Sequence, residues 1–291
     1  MLVEALKVYM KNIDLELNNG VRIPAIGFGT YKAPDDAQGI DAVEKAIECG
    51  YRLIDTATLY ENESAVGRAI AESEVSRSEI FLTTKVANKD RGYDSTLKAF
   101  DRSISALGLD YIDLYLIHWP ASAACYTDWR EINSQTWKAM CRLLDEGRVR
   151  AIGVSNFGPE HLDALADESD VIPAVNQIEF HPGWMQPQTL LRCQKAGIVV
   201  EGWSPLGRTR VLENPLLKEI AAAHDKSTAQ VCLRWAIQHN VIPLPKSLHE
   251  ERMRQNLEVF DFSLSDAEMA LIDSMPVTGE SGLTPDNIDA H

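Results

Sequence analysis

A single (β/α)8 barrel behind an N-terminal β-hairpin is the fold that this sequence predicts, and three observations predict it. A unit of helix, glycine and apolar strand recurs along the chain. The strands are short and apolar on both faces, as a parallel sheet covered by helices requires. Eight such strands follow one another through all 291 residues with no linker or break in composition, so one α/β domain over residues 1–291 accounts for the whole length.

The hairpin comes first. IDLELNNGVRIPAIGFG alternates in polarity around Asn18-Asn19-Gly20, and Asn-Gly between alternating residues is a strong hairpin signal. Residues 1–11 read as a loose N-terminal extension. MLVEALKVYM is too short and too polar for a signal peptide. The repeating unit then begins. In ECG-YRLID, ALG-LDYIDLYLIH, DEG-RVRAIGVSN and KAG-IVVEGW, a glycine (Gly50, Gly108, Gly147, Gly197) stands where a helix C-terminus needs a left-handed residue. The helices carry the expected stripe: Leu97, Phe100, Ile104 and Leu107 share one face. Strands are expected near residues 25–28, 51–55, 80–86, 112–117, 151–155, 174–178, 198–202 and 241–244. A doubly wound open sheet has the same alternation, but no GxGxxG follows the first strand here.

Composition narrows the function. Twenty-eight basic against 43 acidic residues leave a formal charge of −15, which disfavours nucleic acid and anionic membrane surfaces as partners. An anionic cofactor therefore needs a local basic cluster. No apolar run approaches the roughly 20 residues of a membrane helix. The five cysteines (Cys49, Cys125, Cys141, Cys193, Cys232) show no CxxC or His/Cys ligand spacing, which suits unpaired thiols in a cytoplasmic protein without a metal site.

Four residues carry the chemistry. Asp55 in LIDTA, Lys85 in FLTTKV and His118 in YLIHWP each end an apolar run, and Tyr60 follows Asp55 by five residues. The C-terminal ends of barrel strands form the active-site rim, so all four are expected there. A phenol near pKa 10 is a poor acid at neutral pH, and an adjacent ammonium lowers that pKa. Asp55 would hold Lys85 charged, and His118 would orient a carbonyl oxygen. Singly, an Asp–Lys pair is an ordinary ion pair and a His-Trp ordinary packing. All four on neighbouring strands at one rim point to chemistry.

At this point the chain resembles the aldo-keto reductase family from about Ile13 onward. GFGTY, YRLIDTATLYENE, TTKV, LIHWP, IGVSNF, VNQIEFHP, WSPLG and IPLPKS followed by ERMRQN carry the likeness. It is most similar to short bacterial members of the 2,5-diketogluconate reductase type, since Trp203 stands where many animal members have tyrosine. The resemblance implies NADPH-dependent reduction of aldehydes or ketones, with Tyr60 as general acid and Asp55, Lys85 and His118 completing a tetrad. His118 favours reduction of C=O over C=C, because members that reduce steroid double bonds carry glutamate there. The cofactor would run past Gly29, Thr30, Ser155, Asn156, Gln177, Trp203, Ser204 and Leu206 to Lys246, Ser247, Arg252, Gln255 and Asn256, with its nicotinamide on Trp203 and its 2′-phosphate at the basic end. His249 takes a place often basic in relatives, so part of that grip is expected to depend on its protonation. The loop GRTRVLENP is shorter than the belt that some members fold over the cofactor. Tyr31, Trp119 and His118 should line the substrate mouth, and the polar tail GESGLTPDNIDAH is expected to leave the pocket open.

Two rival readings remain. A non-catalytic NADPH-binding regulatory subunit would also keep the tetrad, but an extra domain, a coiled coil or a long N-terminal segment would be expected with it. A barrel hydrolase would need a second well-placed carboxylate. A monomer, the family default, is the expected state.

Overall fold

The computed structural model describes residues 14–290, so the expected extension at residues 1–11 lies outside the described residues. Strands β1 (Asp14–Glu16) and β2 (Arg22–Pro24) form the antiparallel hairpin, with Leu15 opposite Ile23. Its loop is one residue longer than a two-residue Asn-Gly turn. Gly20 N donates to Leu17 O and Leu17 N to Val21 O, and Gly20 sits at φ +82. This is a three-residue loop that ends in a left-handed glycine.

Eight parallel strands follow: β3 (Phe28–Gly29), β4 (Leu53–Asp55), β5 (Phe81–Val86), β6 (Ile112–Ile117), β7 (Val149–Ser155), β8 (Val175–Glu179), β9 (Val199–Trp203) and β10 (Val241–Pro243). They pair strictly in chain order. Gly27 N and Gly29 N then donate to Pro243 O and Pro245 O, both at 3.0 Å, and close the ring between its first and last strands. All eight expected strands are present, displaced by no more than a few residues.

Helices α1 (Ala37–Cys49), α2 (Glu63–Glu72), α3 (Tyr93–Leu107), α4 (Trp129–Asp145), α5 (Pro159–Ala166) and α6 (Pro187–Lys195) alternate with these strands. Four more complete the described chain: α7 (Pro215–Ala223), α8 (Thr228–Gln238), α9 (Glu250–Leu257) and α10 (Asp266–Asp273). Local chemistry sets their ends. The Asp36 carboxylate accepts from Gln38 N and Gly39 N at the start of α1, and Gly50 at φ +119 ends it. Ser227 and Gln230 cap α8 reciprocally. The other three joint glycines are also left-handed. On α3, Phe100 and Leu107 are fully buried, with Leu97 and Ile104 packed beside them.

The core has two compartments. The larger lies between sheet and helices, around Phe28, Tyr51, Tyr115, Trp137 and Trp235. The smaller fills the lower barrel with Leu53, Phe81, Leu114, Leu116, Val175 and Ile242, and the hairpin adds Leu17 and Ile23 to it. Asn18 and Asn19 tie the hairpin to the carbonyls of Pro173 and Arg150. The hairpin therefore plugs the N-terminal mouth. The opposite rim is left for polar side chains.

Candidate active site

Asp55 ends β4, and Lys85 lies one residue before the end of β5. Lys85 is completely buried, and its Nζ lies 2.8 Å from both Asp55 oxygens and 2.9 Å from Thr56 O. The Tyr60 hydroxyl, at the end of a single 3-10 turn (Thr58–Tyr60), lies 3.4 Å from the same Nζ. The His118 ring meets the Tyr60 ring edge-on, with centroids 5.7 Å apart, and Tyr31 leans on its other side at 5.1 Å. The expected tetrad is thus one contiguous cluster.

Electrostatics refines the expected tuning. Burial pushes the Tyr60 phenol above its ordinary value, and Lys85 pulls it back without overcoming burial. The phenol stays protonated at neutral pH, as a proton donor must. Burial also penalises the Lys85 ammonium, but Asp55 and Tyr60 outweigh that and raise its pKa. His118 is held well below the usual imidazole range, by burial first and then by the Lys85 charge, so its ring is neutral. His118 Nδ1 is buried without a partner among the described residues. An orphaned lone pair costs less than an orphaned N–H, so the neutral ring carries its proton on Nε2.

A cleft of about 440 Å³ opens above this cluster. It gathers Gly29, Tyr31, Asp55, Tyr60, His118, Trp119, Ser155, Asn156, Gln177, Trp203, Ser204, Leu206 and Lys246, all expected from the sequence. The donor set along one wall is organised. Ser155 Oγ donates to Gln177 O at 2.7 Å, and Asn156 Nδ2 donates to Ser155 Oγ and to His118 O. Trp203 Nε1 donates to Asn156 Oδ1 at 2.8 Å. Asn156 and Ser204 hold left-handed backbones, φ +63 and +49, a cost of about 1–3 kcal/mol each that the surrounding bonds must offset.

Other expected residues lie apart from the cleft lining. Thr30 is fully buried, and both its amide and its hydroxyl donate to Asp55 O. Its side chain ties β3 to β4 instead of facing a ligand, because a buried hydroxyl needs a partner and the strand end supplies one. Ser247, Arg252, Gln255 and Asn256 continue past Lys246 onto α9. Arg252 is exposed, whereas Arg254 is paired with Glu250. Asn256 is mostly buried, and the Tyr51 hydroxyl donates to Met253 O on the same helix.

Several lining residues were not anticipated. Lys32 and Arg208 add two cations to the cleft, and burial, with Lys32 nearby, lowers the pKa of Lys246. Leu59 stands at the mouth with 58% of its surface exposed. The tail also reaches the cleft, where Leu283 and Ile288 form part of its lining. Glu179 accepts from Ser281 N and Oγ, and Asp289 bonds Arg91 Nη2 at 2.5 Å and Asn88 Nδ2 at 2.7 Å.

The model of the Aldo/keto reductase family matches residues 25–276, which contain the whole barrel and the tetrad. The chain belongs to this family. It is 46% identical to a morphine 6-dehydrogenase of Pseudomonas putida over 288 residues, 94% of this chain and 95% of the relative. It is 44% identical to a glyoxal reductase of Bacillus subtilis over 274 residues, 94% and 96% of the two chains. A crystal structure of a Bombyx mori aldo-keto reductase in complex with NADP superposes with a TM-score of 0.82 at 37% identity, covering 89% of this chain and 91% of that one. The chain is an oxidoreductase that reduces carbonyl groups with NADPH. The residues present fit that cofactor: an indole face, a row of amides and hydroxyls, and then cations in an otherwise acidic protein.

Proposed function

We propose that Tyr60 is the general acid of carbonyl reduction, with His118 orienting the carbonyl and Lys85 and Asp55 supporting the phenol. The observation that carries this reading is the chain of contacts from Asp55 through Lys85 Nζ to the Tyr60 hydroxyl, at the floor of a cleft with apolar walls. NADPH would supply the hydride when bound, and Trp203 would hold its nicotinamide. The carbonyl oxygen lies within reach of Tyr60 and of the neutral His118 N–H, which aligns it and favours the charge that it develops. Tyr60 passes its proton to that oxygen. The phenolate that results sits beside the Lys85 ammonium, which the Asp55 carboxylate holds in place. Ser155, Asn156 and Gln177 orient the carboxamide end of the cofactor, and Lys246, Ser247 and Arg252 take its 2′-phosphate.

The walls support a substrate preference. Tyr31, Leu59, Trp119, Leu283 and Ile288 surround the mouth with apolar surface. A substrate hydroxyl buried there without a partner costs about 1–3 kcal/mol, so aromatic aldehydes and α-dicarbonyls should exceed sugar ketones in kcat/KM by roughly 10-fold or more. Relatives named for glyoxal and for morphine support testing a broad panel. Consumption of NADPH with each compound checks this order. Saturable NADPH binding without turnover on any of them favours the regulatory-subunit reading instead. We also infer a single-domain, cytoplasmic monomer. Among the described residues no helix is long and apolar enough to cross a membrane. Gel filtration tests the monomer.

Cofactor choice tests the basic end separately. Hydrogen bonds to charged groups contribute about 1.5–3 kcal/mol each, so Arg252→Ala should weaken NADPH roughly 10- to 100-fold. Binding of NADH should barely change. Quenching of tryptophan fluorescence measures both, and equal weakening of the two cofactors would show that Arg252 serves the fold.

A further inference from the structure

The strand sequence IVVEGW carries an acid inside an apolar run. Glu201, in the middle of β9, is fully buried. Its Oε2 accepts from Gln177 Nε2 at 2.7 Å, and the same nitrogen donates to Asp55 Oδ2 at 2.8 Å. Both amide protons of Gln177 are therefore spent behind the cleft wall. The opposite orientation would set Gln177 Oε1 against the Asp55 carboxylate, so charge decides which end of the amide faces inward. Gln177 lines the cleft, and Oε1 is the end left to face it.

The surroundings of Glu201 favour the neutral form of its carboxyl. Burial, and then the Asp55 charge, push its carboxyl up to about 8, while Gln177 and Lys85 pull the other way. A second full negative charge beneath Lys85 would have only that one ammonium to answer it. Its other oxygen, Oε1, has no hydrogen-bond partner among the described residues. A buried polar group only half satisfied in a barrel core calls for a reason.

We propose that Glu201 is a positioning residue: by accepting the second amide proton of Gln177, it locks that side chain with Oε1 presented to the nicotinamide carboxamide. An apolar residue at 201 would leave one buried N–H of Gln177 orphaned and its amide held by the Asp55 contact alone. The inference rests on Gln177 being a cofactor contact, and the test separates the two.

Glu201→Met keeps the volume and removes the acceptor. Its Kd for NADPH, read by tryptophan fluorescence, should rise about 3- to 10-fold, the effect of one neutral hydrogen bond. KM for the carbonyl should stay within about twofold, because the tetrad and the cleft mouth are untouched. Glu201→Gln, whose amide oxygen replaces Oε2, should restore the wild-type Kd. In a Gln177→Ala background, Glu201→Met should add no further loss, because the two residues act through one contact. Should Glu201→Met fail to fold, Glu201→Thr, too short to reach Gln177, carries the same expectations. A wild-type Kd in the folded acceptor-less variant overturns the proposal, as does a loss that adds fully to that of Gln177→Ala. If Gln177→Ala alone binds NADPH normally, the reading of Gln177 fails first and this inference falls with it.

Discussion

Tyr60→Phe is expected to lower kcat by at least about 10²-fold, the lower range for removal of a general acid. The change deletes the hydroxyl that lies 3.4 Å from Lys85 Nζ and leaves the ring against Tyr31 and His118. Lys85 keeps both Asp55 oxygens and Thr56 O, so melting should shift little. The NADPH Kd should be nearly unchanged, because the carboxamide and phosphate ends of the cleft are untouched. Steady-state kinetics with an aromatic aldehyde, beside fluorescence titration, separates these effects. Turnover close to wild type would mean that the proton comes from another group.

Lys85→Met should be as damaging to the rate and far more damaging to stability. Without the ammonium, nothing opposes the burial that already raises the Tyr60 phenol, and the phenolate left after proton transfer has no countercharge. Asp55 is buried too, with Gln177 as its remaining side-chain partner. Removing one partner of a buried pair costs roughly 3–5 kcal/mol. Thermal melts with and without NADPH measure that loss apart from kcat. The sign of the pH dependence follows from the raised Lys85 pKa. A cation favoured in the folded state contributes fully below its unfolded value, near 10.5, and loses that contribution as pH rises through the higher folded value. The stability gap between wild type and Lys85→Met should therefore be flat at neutral pH and narrow only in strong alkali. A fully active Lys85→Met enzyme would show that another group tunes the phenol.

Much of this was legible in the chain because it depends on local signals. Asp55, Lys85 and His118 each end an apolar run, and in a barrel the end of a strand is a fixed place. The joint glycines marked helix ends for steric reasons that act within one turn. The hairpin was legible in kind but not in loop length, since Leu17 rather than Asn18 makes the closing bonds to Gly20 and Val21.

Thr30, Glu201 and the tail were not legible, each for a physical reason. Thr30 stands in the GFGTY motif next to Gly29, yet a contact 25 residues away turns its hydroxyl toward Asp55 O. Glu201 broke an apolar pattern, and that irregularity was the available signal. Its partner Gln177 lies 24 residues away on a neighbouring strand, so only the paired sheet shows why the acid is there. Leu283 and Ile288 are isolated apolar residues in a polar tail. Their place in the cleft lining depends on Ser281 meeting Glu179, 102 residues away, and Asp289 meeting Arg91, 198 residues away.

By itself, then, the sequence determined the barrel, its order of strands, the rim that carries the tetrad and the family, because periodicity, helix stops and strand ends are set by neighbours along the chain. Tertiary structure alone decided which way each buried polar group turns, how burial and Lys85 balance on the Tyr60 phenol, and which tail residues reach the cleft. Those depend on distances between residues far apart in the chain, and a buried hydrogen bond or charge takes its energy from whatever the fold brings within about 3 Å.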